Sequence, residues 1–166
     1  AGVDGKNFTE MSRHELIDHI ENTHHVYVKK MLPELGELTT KIMRVHGINH
    51  DELLKIHKLF STLKAELEQH LMKEEEILFP LMKEYEKSPS VQAFERTKKV
   101  MEETEDEHDA AGDILKALRR ITNDYKVPED GCNTYALTFK KLEELEEDLF
   151  QHIHLENNIL FKNWRD

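Results

Sequence analysis

Apolar residues return every three or four positions through four long stretches of the chain, and short polar breaks separate the stretches. The first, residues 13–45, carries Val28, Leu32, Leu35 and Ile42 on one face. The second, residues 51–86, carries Leu53, Phe60, Leu63, Leu67, Ile77 and Leu81. The third, residues 91–125, carries Phe94, Met101, Ala111, Leu115 and Leu118. The fourth, residues 133–162, carries Tyr135, Leu142, Leu145, Leu149 and Ile159. A recurrence near 3.6 residues predicts amphipathic helices. Ser12 followed by Glu15 predicts a capping box at the first helix start, and Pro33 inside that helix predicts a kink or a locally broken backbone bond. Gly47-Ile-Asn-His50, Lys87-Ser-Pro-Ser90 and Val127-Pro-Glu-Asp-Gly131 read as turns. Four long helices with short connections predict an all-α, up-down-up-down four-helix bundle over residues 11–166, behind a loose arm at residues 1–10.

The stripes are interrupted by groups that do not belong in an apolar core. His25 and Glu21 lie on the first, His70 and Glu74 on the second, His108 on the third, His152 and Glu156 on the fourth. His70-Leu-Met-Lys-Glu74 and His152-Ile-His-Leu-Glu156 share the spacing His-x-x-x-Glu, and each continues with Ile-Leu-Phe at the same offset. One such pair alone reads as an ordinary surface pair four residues apart. Two copies, both on apolar stripes, point to metal binding. The distance from His25 to His70 is 70 − 25 = 45 residues, and from His108 to His152 it is 152 − 108 = 44. The chain therefore reads as two helical hairpins related by a pseudo-two-fold axis, which places two metal positions side by side.

Imidazole and carboxylate suit divalent first-row metals, iron, manganese and zinc alike. Glu74 and Glu156 are the natural bridges, and His25, His70, His108 and His152 cap the pair two to each ion. A shared oxo or hydroxo oxygen then leaves about one open position on each ion. Two carboxylates against two divalent ions is a low ligand charge, which favours the reduced metal and reversible binding or reduction of a small diatomic molecule.

Composition narrows the partners. The chain has 166 residues and a formal net charge of −11, which argues against nucleic acid and against an anionic membrane surface. No 18-residue apolar span or signal peptide is present. The one cysteine, Cys132, permits no internal disulfide and suggests reducing cytosol; it reads as a bystander near a turn. Of the remaining histidines, His24 is the rival to His25, and His154 points some 200° away from His152. His46 lies too far along its helix to join the site, as do His57, His50, His14 and His19. Glu21, Glu66 and Asp148 stand four residues before proposed ligands and, with Glu107, are candidates to orient them or deliver protons. Tyr27 and Tyr135 read as packing residues. Without metal the two buried acids repel, so at least one is expected to take up a proton.

These residues resemble a known family. Two His-x-x-x-Glu motifs on a four-helix bundle, with single histidines on the other helices, look like a hemerythrin-like di-iron domain. His24-His25, Leu32-Pro33-Glu34-Leu35, Val45-His46-Gly47, His70 and Glu74 followed by Leu78-Phe79-Pro80, Glu107-His108 with Gly112, and above all His152-Ile-His-Leu-Glu-Asn-Asn-Ile-Leu-Phe161 resemble the bacterial di-iron proteins that repair iron–sulfur clusters. The resemblance covers residues 12–162. It implies a cytoplasmic protein of the nitrosative and oxidative stress response, with two non-haem iron ions on His25, His70, Glu74, His108, His152 and Glu156. It also implies damaged iron–sulfur proteins as targets and nitric oxide or O₂ as small ligand, with nitric oxide bound or reduced. Two departures matter. Oxygen carriers of the wider family have a second histidine four residues along the third helix, where this chain has Gly112 and, on the other side, Thr104. Full-length repair proteins also carry a small N-terminal domain with a cysteine pair, which these residues do not include. An O₂ or nitric oxide sensor without turnover, an iron donor and a metal-free structural bundle are the competing readings, and a homodimer is left open.

Overall fold

All four predicted helices form, and three of them widen from α to π geometry at one place each. The structure is a computed structural model and describes residues 7–165. Helix α1, residues 13–46, runs as Arg13–His19, a π-helical stretch Ile20–His25, and Val26–His46. Helix α2, residues 52–87, runs as Glu52–Lys73, a π stretch Glu74–Leu78, and Phe79–Lys87. Helix α3 is Val91–Ile121, and α4, residues 133–160, is Asn133–Leu155 followed by the π stretch Glu156–Leu160. A 3-10 turn, Lys162–Trp164, follows α4, and the described residues contain no strand. Helix α1 packs against α2 and α4, and α2 against α3. Arg119 of α3 reaches Glu146 of α4 at 3.0 Å from Nε, joining the remaining pair.

The expected capping box is made. Ser12 Oγ accepts from the Glu15 N–H at 3.1 Å, and Glu15 Oε1 accepts from the Ser12 N–H at 3.2 Å. The arm departs from expectation where it is described. Asn7 caps a short 3-10 turn, Phe8–Glu10, and Phe8 packs at 4.9 Å between ring centroids on His19; residues 1–6 lie outside the described residues. Helix α1 continues through Pro33, which has no N–H to give the carbonyl of Lys29 and so breaks one backbone bond as expected, while its widening to π geometry sits earlier, at Ile20–His25. Helix α3 ends at Ile121, short of the expected residue 125. Asn123, Asp124 and Tyr125 take φ of 55°, 60° and 60°, a left-handed run that cannot continue an α-helix. Asn and Asp tolerate that region, whereas Tyr125 is held there by its buried ring, by Arg119 5.0 Å above it, and by its hydroxyl donating to Glu146.

The π stretches also correct the expected stripes. A π turn holds an extra residue, so the face that continues beyond it shifts by one position. Beyond Glu74 the buried residues are Leu78, Phe79 and Met82; beyond Glu156 they are Leu160, Phe161 and Trp164, at the same offsets. Ile77, expected inside, is 46% exposed, and Leu81 and Ile159 are only half-buried.

Two apolar clusters result. One, centred on Leu35, Phe60, Leu115 and Leu142, fills the body of the bundle. The other joins Leu16, Ile20, Phe79, Met101, Phe161 and Trp164 at the end holding both termini of the described chain. Each buried Leu or Phe contributes roughly 1.5–3 kcal/mol relative to exposure. Along every helix the polar stripe residues fall between the two clusters, so the fold sandwiches one polar layer between two apolar ones.

Candidate metal centre

His24, His25, His70, Glu74, His108, His152 and Glu156 are each at most 4% exposed, and Glu74 and Glu156 are completely buried. Seven carboxylate and imidazole groups cannot stay dry without partners, so their arrangement is informative. Four imidazoles turn Nε2 inward. His25 Nε2 lies 3.1 Å from Glu74 Oε1, His70 Nε2 3.3 Å from Glu74 Oε2, His108 Nε2 2.9 Å from Glu156 Oε1, and His152 Nε2 2.6 Å from Glu156 Oε2. His25, Glu74, His152 and Glu156 form one group whose ligand atoms all lie within 4.8 Å of one another; His70, Glu74, His108 and Glu156 form a second.

The donor set fits a cation in each group. Glu74 Oε2 and Glu156 Oε1 are buried and accept no hydrogen bond. His70 Nε2 and His108 Nε2 approach to 3.1 Å, close to the roughly 3 Å that separates two nitrogens bound at right angles to one ion through bonds of about 2.1 Å.

The outer nitrogens are held from neighbouring helices. His25 Nδ1–H donates to Glu75 Oε2 at 2.7 Å, His70 Nδ1–H to Glu107 Oε1 at 2.8 Å, and His108 Nδ1–H to Asn157 Oδ1 at 2.8 Å. Both carboxylates are themselves paired, Glu75 with Lys29 at 2.7 Å and Glu107 with Lys73 at 3.2 Å. The bond to His70 holds the Glu107 carboxyl below its usual range; Glu75 is also lowered, Lys29 and His25 outweighing its partial burial.

Charged neighbours within the layer outweigh the effect of burial on three of its groups. Burial opposes a charged His70, yet Glu74 and Glu107 outweigh it and push the ring up to about 10. Burial likewise opposes a charged His152, and Glu156 and Glu74 raise it to about 10. Glu74 is held well below its usual range because His70 and the other bonded neighbours overcome its burial.

All six residues expected at the site converge in this layer. His24 does not replace His25: its Nδ1 faces Asp148 Oδ1 at 2.9 Å. His154 is exposed, with Nδ1 bonded to Asn158 at 2.9 Å. His46 and His50 lie at the far end beside Cys132 and Asp130, at 3.2 Å and 2.8 Å, and His57 is bonded to Thr40. Of the outer candidates only Glu107 holds a ligand histidine. Glu66 is exposed, Glu21 makes no such bond, and Asp148 reaches His24 in place of His152. Glu75 and Asn157 were not anticipated, although each directly follows a repeated Glu and that position could have been compared between the two copies. No imidazole follows His108 one turn on: a Cβ at Gly112 would meet no heavy atom within 4 Å.

A family model for the hemerythrin HHE cation binding domain matches residues 16–164. The chain is 33% identical over 147 residues to the iron-sulfur cluster repair protein ScdA of Staphylococcus epidermidis. It is 39% identical over 147 residues to the iron-sulfur cluster repair protein YtfE of Escherichia coli O81. Each match covers 89% of this chain and 64% of the relative, so the chain spans about two-thirds of the length of these relatives.

Proposed function

The chain belongs to the hemerythrin HHE cation binding domain family, and we propose that it holds two iron ions in the buried polar layer and serves the repair of damaged iron–sulfur clusters, with nitric oxide or O₂ as its small ligand. The observation that carries this reading is that Glu74 and Glu156 belong to both four-residue groups. Two carboxylates shared by two imidazole pairs are what a bridged pair of ions requires. The names of the relatives support the repair role, and iron is the metal that role involves.

Two adjacent ferrous ions with open positions supply, when bound, the electrons and the docking points for a diatomic ligand. The residues supply the rest. Glu75, Glu107 and Asn157 aim three imidazoles inward by accepting their Nδ1–H groups. The apolar clusters above and below exclude bulk water. With Gly112 one turn after His108, the third helix supplies one imidazole only. Glu107, whose side chain is 39% exposed, links His70 to solvent and is the group placed to bring protons to the layer.

The test is to incubate the iron-loaded, reduced protein anaerobically with nitric oxide, and separately with an iron–sulfur protein whose cluster has been damaged. We expect regain of cluster absorbance in the target, and nitrous oxide in the headspace by 2 NO + 2 e⁻ + 2 H⁺ → N₂O + H₂O. A stable adduct without nitrous oxide would remove the reductase activity, and no regain of cluster would remove the repair role.

A further inference from the structure

Three of the four inward-facing histidines have an outer acceptor, and the positions of those acceptors follow the pseudo-two-fold axis. Glu75 and Asn157 each follow a bridging Glu by one residue (74 + 1 and 156 + 1), and they hold His25 and His108. Glu107 precedes His108 by one residue and holds His70. Its symmetry counterpart precedes His25 by one residue, and that residue is His24; the ligand left for it to hold is His152.

Two atoms make this correspondence physical. His152 Nδ1 and His24 Nε2 are both buried without a hydrogen-bond partner. Their rings are neighbours, with centroids 5.6 Å apart and planes within 16° of parallel. His24 Nδ1 faces Asp148 Oδ1 at 2.9 Å, and a carboxylate can only accept, so Nδ1 carries the hydrogen and leaves Nε2 as an acceptor. A metal on His152 Nε2 leaves Nδ1 as a donor. Donor and acceptor are therefore both defined and both buried, on neighbouring, near-parallel rings, and a turn of the rings brings them to bond.

We propose that His24 is a positioning residue for the metal layer: its Nε2 accepts the Nδ1–H of His152 once that ring is ligated, while Asp148 fixes the His24 tautomer. The relay Asp148–His24–His152 replaces the direct Asp148–His152 bond expected from their spacing of four. This inference rests on the two-metal reading.

The experiment is proton NMR of the reduced, iron-loaded protein in H₂O and in D₂O. Ligated imidazole N–H protons near paramagnetic iron are strongly shifted and exchangeable. Wild-type protein should show four. His24→Leu should lose or broaden one of the four and weaken iron binding about 10–100-fold, the usual effect of removing an outer partner. His24→Gln, which restores an acceptor oxygen, should recover the fourth signal. Asp148→Asn, at a more exposed position, should shift the same signal and decides the matter if His24→Leu does not fold. Four unmoved signals in His24→Leu or in Asp148→Asn would overturn the role of His24 while leaving the metal centre intact. Absence of shifted signals in the wild type would overturn the metal centre itself.

Discussion

His70 and His108 face each other through Nε2 at 3.1 Å and turn their Nδ1 atoms outward, to Glu107 and to Asn157, at 2.8 Å each. Each ring is thus fixed at both ends by residues of other helices. Glu107→Ala should lower iron affinity about 10–100-fold, read by competition against a chromogenic chelator. Glu66→Ala, at an exposed position beside the same cleft but with no hydrogen bond to His70, should leave iron affinity unchanged. Equal losses in the two variants would mean that general acidity matters more than the Glu107–His70 bond.

His152 and His154 test the helical face. His152 is 2% exposed and in contact with Glu156, whereas His154 lies at the surface beside Asn158. His152→Ala should lose one or both iron ions per chain, and His154→Ala should retain both, by elemental analysis of protein grown with ample iron.

The contrast between those two residues was legible in the sequence because it depends on helical angle alone. So were the four helices and the six residues of the polar layer, since repeated His-x-x-x-Glu on an apolar stripe has few other meanings. The π stretches at Ile20–His25, Glu74–Leu78 and Glu156–Leu160 were not legible, because local propensity does not distinguish a π turn from an α turn. Ile77 was misplaced for that reason. The end of α3 was missed because Asn123, Asp124 and Tyr125 adopt left-handed backbone supported by Glu146, a partner on another helix. Spacing of four along one helix points to Glu21, Glu66 and Asp148, whereas the acceptors are Glu107, already a candidate, and Glu75 and Asn157, and all three act across helices.

Stability of the metal-free protein should depend on pH with a defined sign. His70 and His152 are raised from 6.5 to about 10 in the folded state, so their contribution is complete below pH 6.5 and is lost as pH rises through about 10. Glu74 is lowered from 4.5, so its contribution is present above pH 4.5 and is lost at lower pH. The melting temperature of chelated protein should therefore be highest between pH 4.5 and 6.5 and fall toward pH 10. Iron should raise it throughout and flatten the alkaline fall, because neutral imidazoles bind the ions. A chelated protein equally stable at pH 6 and pH 10 would contradict the buried ion network.

At the other end of the bundle, Cys132 Sγ lies 3.2 Å from His46 Nε2. That contact, helped by backbone N–H groups at the start of α4, lowers the thiol from 9.0 to about 7. Alkylation by iodoacetamide should reach half its maximal rate near pH 7, and His46→Ala should move that midpoint back toward 9. A midpoint unmoved by the substitution would assign the effect to the helix start alone.

Glu74 and Glu156, which belong to both groups of four, are proposed to bridge two ions. Mössbauer spectroscopy of protein loaded with ⁵⁷Fe, with iron counted on the same sample, addresses this most directly. Two irons per chain with a magnetically coupled, diamagnetic oxidised state are predicted. One iron per chain, or isolated paramagnetic ferric ions, would contradict a bridged pair.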